Sequence, residues 1–125
     1  MRASQQAVLA AVSHLSREAL ARLRDLLVAE SREQVVQCAQ HEALVSQLRG
    51  LSDVDSALER ELAEAGVARA REALNDIDHA LNRLDAGTYG SCEECRAAIP
   101  FERLEAIPAA RFCVACSGRP LRFPR

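Results

Sequence analysis

The chain has no lysine and no tryptophan. Tyr89 is its one tyrosine, and Phe101, Phe112 and Phe123 are its three phenylalanines. Although 49% of its residues are apolar, only 3% are aromatic. Much of the apolar fraction is alanine and leucine, which favours helices meeting along narrow seams over a thick core. No stretch approaches the roughly 20 apolar residues needed to cross a bilayer. The run Ala7–Val12 flows into Arg17-Glu18 without a cleavage site, so a cytoplasmic chain with reduced thiols is expected. There is no Ser/His/Asp set and no glycine-rich phosphate loop, so nothing supports an enzyme.

All sixteen basic residues are arginines, against eighteen acids, and the net charge of −2 with a pI near 5.9 argues against a general nucleic-acid binder. The charge is unevenly placed. Residues 51–91 carry nine acids against four arginines, whereas residues 92–125 carry six arginines against four glutamates. An acidic arm joined to a slightly basic head points to a protein partner with complementary patches.

Four of the five cysteines form two CxxC pairs, Cys92-Glu93-Glu94-Cys95 and Cys113-Val114-Ala115-Cys116, seventeen residues apart. Each CxxC turn aims two sulfurs at one point, and the intervening loop lets the turns face each other. Four thiolates can then close a tetrahedral shell around one Zn²⁺ per chain with no position left for substrate, the mark of a structural site. Two disulfides would require a secreted chain, and a redox CxxC would be expected within a βαβ pattern that is not seen here.

Neither proline nor glycine occurs between Ser4 and Arg49. Ser4 is an N-cap candidate, and Val8, Val12, Leu15, Ala19, Leu20, Leu23, Leu27, Val35, Cys38, His41, Val45 and Leu48 recur at helical spacing. One helix of about 45 residues, roughly 65 Å long, is predicted, and it needs a partner stripe in water. Gly50 is the stop signal, and Ser52 or Asp53 can cap the next helix, predicted to run to Ala86. Its stripe reads Leu58, Leu62, Ala65, Val67, Ala70, Leu74, Ile77, Leu81 and Leu84. Gly66 reads as a blemish costing about 1 kcal/mol against alanine. A connector this short makes the helices antiparallel, and pairing about the turn should bring Leu44 near Leu58. The expected fold is therefore all-α, a long antiparallel helical hairpin (coiled coil) with a small four-cysteine zinc-finger head. Residues 1–86 form the hairpin with its tip near 50–56, residues 87–118 the finger, and residues 119–125 a short basic tail. Ile99, Pro100 and Phe101 supply the finger's small apolar core.

Cys38, His41 and His79 read as seam or rim residues, since four cysteines already complete a zinc shell; His14 follows no pattern. Asp53 and Asp55, at a helix start, read as caps and dipole partners, yet at the end of a hairpin they are also free to reach a target. Three functional classes remain open. The first is a regulator acting on a protein partner. The second is a zinc-ribbon adaptor or scaffold that oligomerises through its coil. The third is a nucleic-acid-binding ribbon using Arg96, Arg103, Arg111, Arg119 and Arg122.

The finger resembles that of the DksA/TraR family of bacterial C4 zinc-finger transcription regulators. The two CxxC pairs, Ile99, Arg103 and Pro108 fall at the family's spacing, with Tyr89-Gly90 and Arg103-Leu104-Glu105-Ala106 also alike. The resemblance implies a monomer that binds RNA polymerase through its secondary channel and alters promoter-complex stability with acidic tip residues. It implies no sequence-specific DNA binding, and the lack of a long apolar stretch leads to an expectation of no membrane attachment. The family tip Asp-x-x-Asp-x-Ala is matched here by Asp55 and Ala57, with Ser52 at the first position and Asp53 beside it. Arg103 is implied as a contact to polymerase or within the head. Asp76 and Ile107 stand where members responsive to guanosine tetraphosphate carry basic residues.

Overall fold

A computed structural model of the chain describes residues 14–118. The predicted cap at Ser4, the stripe positions Val8 and Val12, and the basic tail 119–125 lie outside the described residues. Within them are two long helices, α1 (Arg17–Leu48) and α2 (Val54–Ala86), and two short ones, α3 (Phe101–Ala106) and α4 (Val114–Ser117). The described residues contain no strand beyond a single antiparallel bridge, Ser91 to Ala98. The chain divides into two compact units: Val28–Asp78, and the segments on either side of it.

Helix α1 does not run unbroken through Leu15 as the spacing predicts. Ser16 Oγ accepts the Ala19 N–H at 2.9 Å and caps the helix there. A serine side chain that satisfies an otherwise orphaned N–H competes well with helix continuation. This frees His14 and Leu15 to pack elsewhere in the same unit. Leu15 is buried with Leu23 and Leu27 of α1, Ala80 of α2, and Tyr89, Ile99 and Leu104 of the finger. Helix α2 ends in a Schellman arrangement, in which Thr88 N–H bonds Arg83 O at 2.9 Å and Gly87 N–H bonds Leu84 O at 3.3 Å. Gly87 takes φ +76°, a left-handed value that glycine adopts without penalty.

In the Val28–Asp78 unit the helices are antiparallel, joined through residues 49–53. Asp53 caps α2, its Oδ2 accepting the Ser56 N–H at 2.9 Å. The seam departs from the predicted stripes. Val35 is exposed, as are Leu58, Leu62 and Ala65, whereas Leu48, Ala63, Gly66, Ala70 and Ile77 are buried. Gly66 is the reason. A Cβ there would lie 2.6–2.7 Å from three atoms of the His41 imidazole, so the missing side chain makes the notch that His41 fills. Arg71 then pairs with Glu42 at 2.7 Å, fixing the same register. That register sets His41 over Gly66, and Leu58 faces water.

Gly66→Ala should therefore destabilise the protein by about 1–2 kcal/mol, since overpacking outweighs the gain in helix propensity. In a His41→Ala background the same substitution should become neutral or stabilising. Thermal or urea denaturation of the four proteins of that cycle checks the sign change.

Candidate metal centre

The finger is built by two tight turns facing each other. In the first, Cys92 N–H bonds Ala97 O at 2.8 Å and Arg96 N–H bonds Cys92 O at 2.9 Å. Arg96 takes φ +64° to close it, an uncommon conformation for a residue with a side chain. In the second, Cys113 precedes α4 and its carbonyl accepts the Ser117 N–H at 2.8 Å. Glu93 N–H reaches across to Arg111 O at 2.8 Å and ties the turns together.

The four sulfurs all lie within 4.8 Å of one another, and Cys95 Sγ is 3.7 Å from Cys113 Sγ. A tetrahedral zinc with Zn–S bonds of about 2.3 Å places its sulfurs about 3.8 Å apart, so the donor set fits one zinc ion. Cys92 and Cys116 are buried, Cys113 is half-buried and Cys95 is exposed. Burial opposes ionisation of Cys92, but the backbone N–H groups of Cys95, Cys113 and Glu94 and the Cys95 thiol outweigh it, bringing the Cys92 thiol down to about 6. Cys113 is lowered as well, chiefly by the Cys116 N–H. The turns thus favour thiolates, the form that binds metal. With four protein sulfurs the shell is closed, and the chemistry on offer is structural.

Several residues without a sequence signal seat this centre. The Arg83 guanidinium, largely buried on α2, donates to Thr88 O at 2.7 Å, to Ser91 O and Ser91 Oγ at 2.8 Å, and to Glu93 at 3.2 Å. His79 Nε2 lies 2.6 Å from the same Glu93 oxygen. His14 Nε2 lies 2.6 Å from Ile99 O, and Leu15 packs so closely on Gly90 that a Cβ there would lie 2.8 Å from it. Tyr89 is fully buried and its hydroxyl donates to Pro108 O at 2.8 Å; burial pushes its ionisation well above the ordinary range. Tyr89-Gly90 stood out in the sequence beside the first cysteine pair, but nothing there distinguished Arg83 from the other arginines.

The remaining sequence candidates are placed as follows. Arg103 turns inward, Nε donating to Phe112 O at 3.1 Å and Nη2 to Ser117 Oγ at 3.0 Å. Asp53, Asp55 and Ala57 belong to the Val28–Asp78 unit. Asp53 is engaged as the cap, and hydrogen bonding to Ser56 holds its carboxyl below the usual range. Asp55 is exposed, and its carboxylate makes no hydrogen bond or ion pair among the described residues. Cys38 is half-buried, its sulfur beside Arg71, which Glu42 and then Cys38 hold as a firm cation. His41 lies in the seam, as read from the sequence. No helix among the described residues is long and apolar enough to cross a membrane.

Residues 87–119 match the prokaryotic dksA/traR C4-type zinc finger. The chain is 50% identical to general stress protein 16O of Bacillus subtilis over 44 residues, 35% of this chain and 27% of that protein. It is 39% identical over 77 residues to the RNA polymerase-binding transcription factor DksA of Caulobacter vibrioides, covering 62% of this chain and 51% of that protein. The structure of transcription factor DksA2 from Pseudomonas aeruginosa superposes with a TM-score of 0.73 at 26% identity, over 82% of each chain. The chain thus spans from about a fifth to about half the length of the curated relatives it matches. Its fold and cysteine set define a C4 zinc-finger protein with an antiparallel helical hairpin. Its finger is similar to that of the dksA/traR proteins, and its fold to that of DksA2.

Metal analysis of protein purified without chelator should return about one zinc per chain, and chelation should melt the finger while leaving much helical circular dichroism. Substoichiometric metal in reduced, folded protein would contradict the site. Arg83→Met should cost about 2–4 kcal/mol, because it strands carbonyls and a carboxylate. Arg24→Met, which breaks only an exposed pair with Asp85, should cost under about 1 kcal/mol. Chemical denaturation separates the two.

Proposed function

We propose that the protein is a transcription regulator that binds RNA polymerase through its secondary channel and modulates promoter-complex stability, with no chemistry of its own. The observation that carries the reading is the match to the Caulobacter DksA, which extends beyond the finger to 62% of this chain. In this reading Cys92, Cys95, Cys113 and Cys116 hold a structural zinc that stabilises residues 87–118 as a head docked at the channel rim. The hairpin enters with its turn, near residues 50–56, foremost. The protein acts as a monomer in the cytoplasm and reads no DNA sequence.

The turn supports a division of labour between its two aspartates. Asp53 is committed to the Ser56 N–H, whereas the Asp55 carboxylate is exposed with no partner among the described residues. Asp55 is accordingly the carboxylate that acts on the basic, metal-bearing surroundings of the polymerase centre, and Asp53 with Ala57 holds the turn that presents it. Confinement strengthens such a charge relative to water. To regulate, Asp55 must interact differently with two states of the promoter complex, because binding both equally shifts nothing.

Asp55→Asn is nearly isosteric and removes only the charge. It should leave the melting temperature unchanged, keep polymerase affinity close to that of wild type, and abolish the effect on promoter-complex lifetime. Asp53→Asn, which retains the cap, should regulate normally, and Asp53→Ala, which removes it, should lower the melting temperature. An Asp55→Asn variant that regulates as wild type does would rule out this role for the turn.

A further inference from the structure

The Val28–Asp78 unit is packed in an unusual order near its turn: between Val54 and Ala70, α2 buries small residues and leaves large apolar ones exposed. Ala63, Gly66 and Ala70 are buried in the seam, while Val54, Leu58 and Leu62 are 81%, 55% and 63% exposed. Folding does not account for those three side chains. They recur every four residues and, with exposed Ala65, form one stripe on the helix, ending a turn later at Arg69. At about 100° per residue, exposed Asp55 and Glu59 border the stripe on one side, and exposed Glu61 and Glu64 on the other.

From this surface we infer that the first three turns of α2 form a docking ridge for an apolar surface rimmed with lysine or arginine, carried by RNA polymerase. The inference rests on the polymerase reading above and names a contact additional to the Asp55 carboxylate. An apolar stripe left in water marks an interaction surface, and its acidic borders select the partner. A second copy of the chain fits poorly, since antiparallel pairing centred on Leu58 would set Asp55 against a second Glu61. A partner with basic borders gains from both edges at once, with apolar burial supplying affinity and charge supplying orientation.

The test compares wild type with Leu58→Gln/Leu62→Gln, which keeps good helix formers, and with Glu59→Gln/Glu61→Gln, using purified RNA polymerase. Both doubles alter exposed side chains and should melt as wild type does. The leucine double should bind polymerase about tenfold more weakly or worse. The glutamate double should weaken binding less and flatten its salt dependence. If wild type binds and the leucine double binds equally well, the ridge is overturned while the polymerase reading stands. If wild type does not bind polymerase, both fall together. If light scattering shows a wild-type dimer that the leucine double dissolves, the ridge belongs to a second copy and the inference is overturned.

Discussion

Four cysteine sulfurs converging within 4.8 Å are the constraint on which the finger depends. The turns around them favour thiolates, and thiolates this close repel one another unless a cation lies between them. Zinc resolves that repulsion, and in a finger of about thirty residues it supplies folding free energy that apolar burial alone could not. Ile99, Leu104 and Tyr89 are buried around the centre, but they form too small a core to hold two tight turns by themselves.

The finger is joined to the base of the helices by polar atoms as much as by packing. Arg83 lends one buried guanidinium to two carbonyls, a hydroxyl and a carboxylate, and Glu93, inside the first CxxC turn, also meets His79. Burial works against the Arg83 charge, and Glu93 offsets part of that cost. On the other side His14 and Leu15, released from α1 by the Ser16 cap, meet Ile99 and Gly90. Metal site and helix base thereby belong to one compact unit.

The Val28–Asp78 unit is packed on a different principle. Apart from Leu48 and Ile77, its buried residues are Ala63, Gly66 and Ala70, with His41 in the glycine notch, so small side chains dominate the seam. That leaves Val54, Leu58 and Leu62 on the outside beside Asp55, and the surface near the turn is both apolar and acidic. A protein stabilised in one unit by metal can leave such side chains in water in the other, where they serve a partner and not the core.

The sequence by itself determined the fold class, the extent of α2, the turn after Gly50 and the four metal ligands, because each is a local matter. Helical periodicity, stop signals and CxxC spacing act within a few residues. Only the tertiary structure decided which face of each helix is buried. Periodicity marked Leu58 and Leu62 as seam residues on grounds of hydrophobicity, but the seam follows the closest approach of two backbones, which Gly66 permits and leucine does not. The roles of Arg83 and His14 were likewise invisible, since a buried arginine and a solvated one have the same letter. Their meaning comes from carbonyls five to eighty-five residues away, which only the folded chain brings within hydrogen-bond reach.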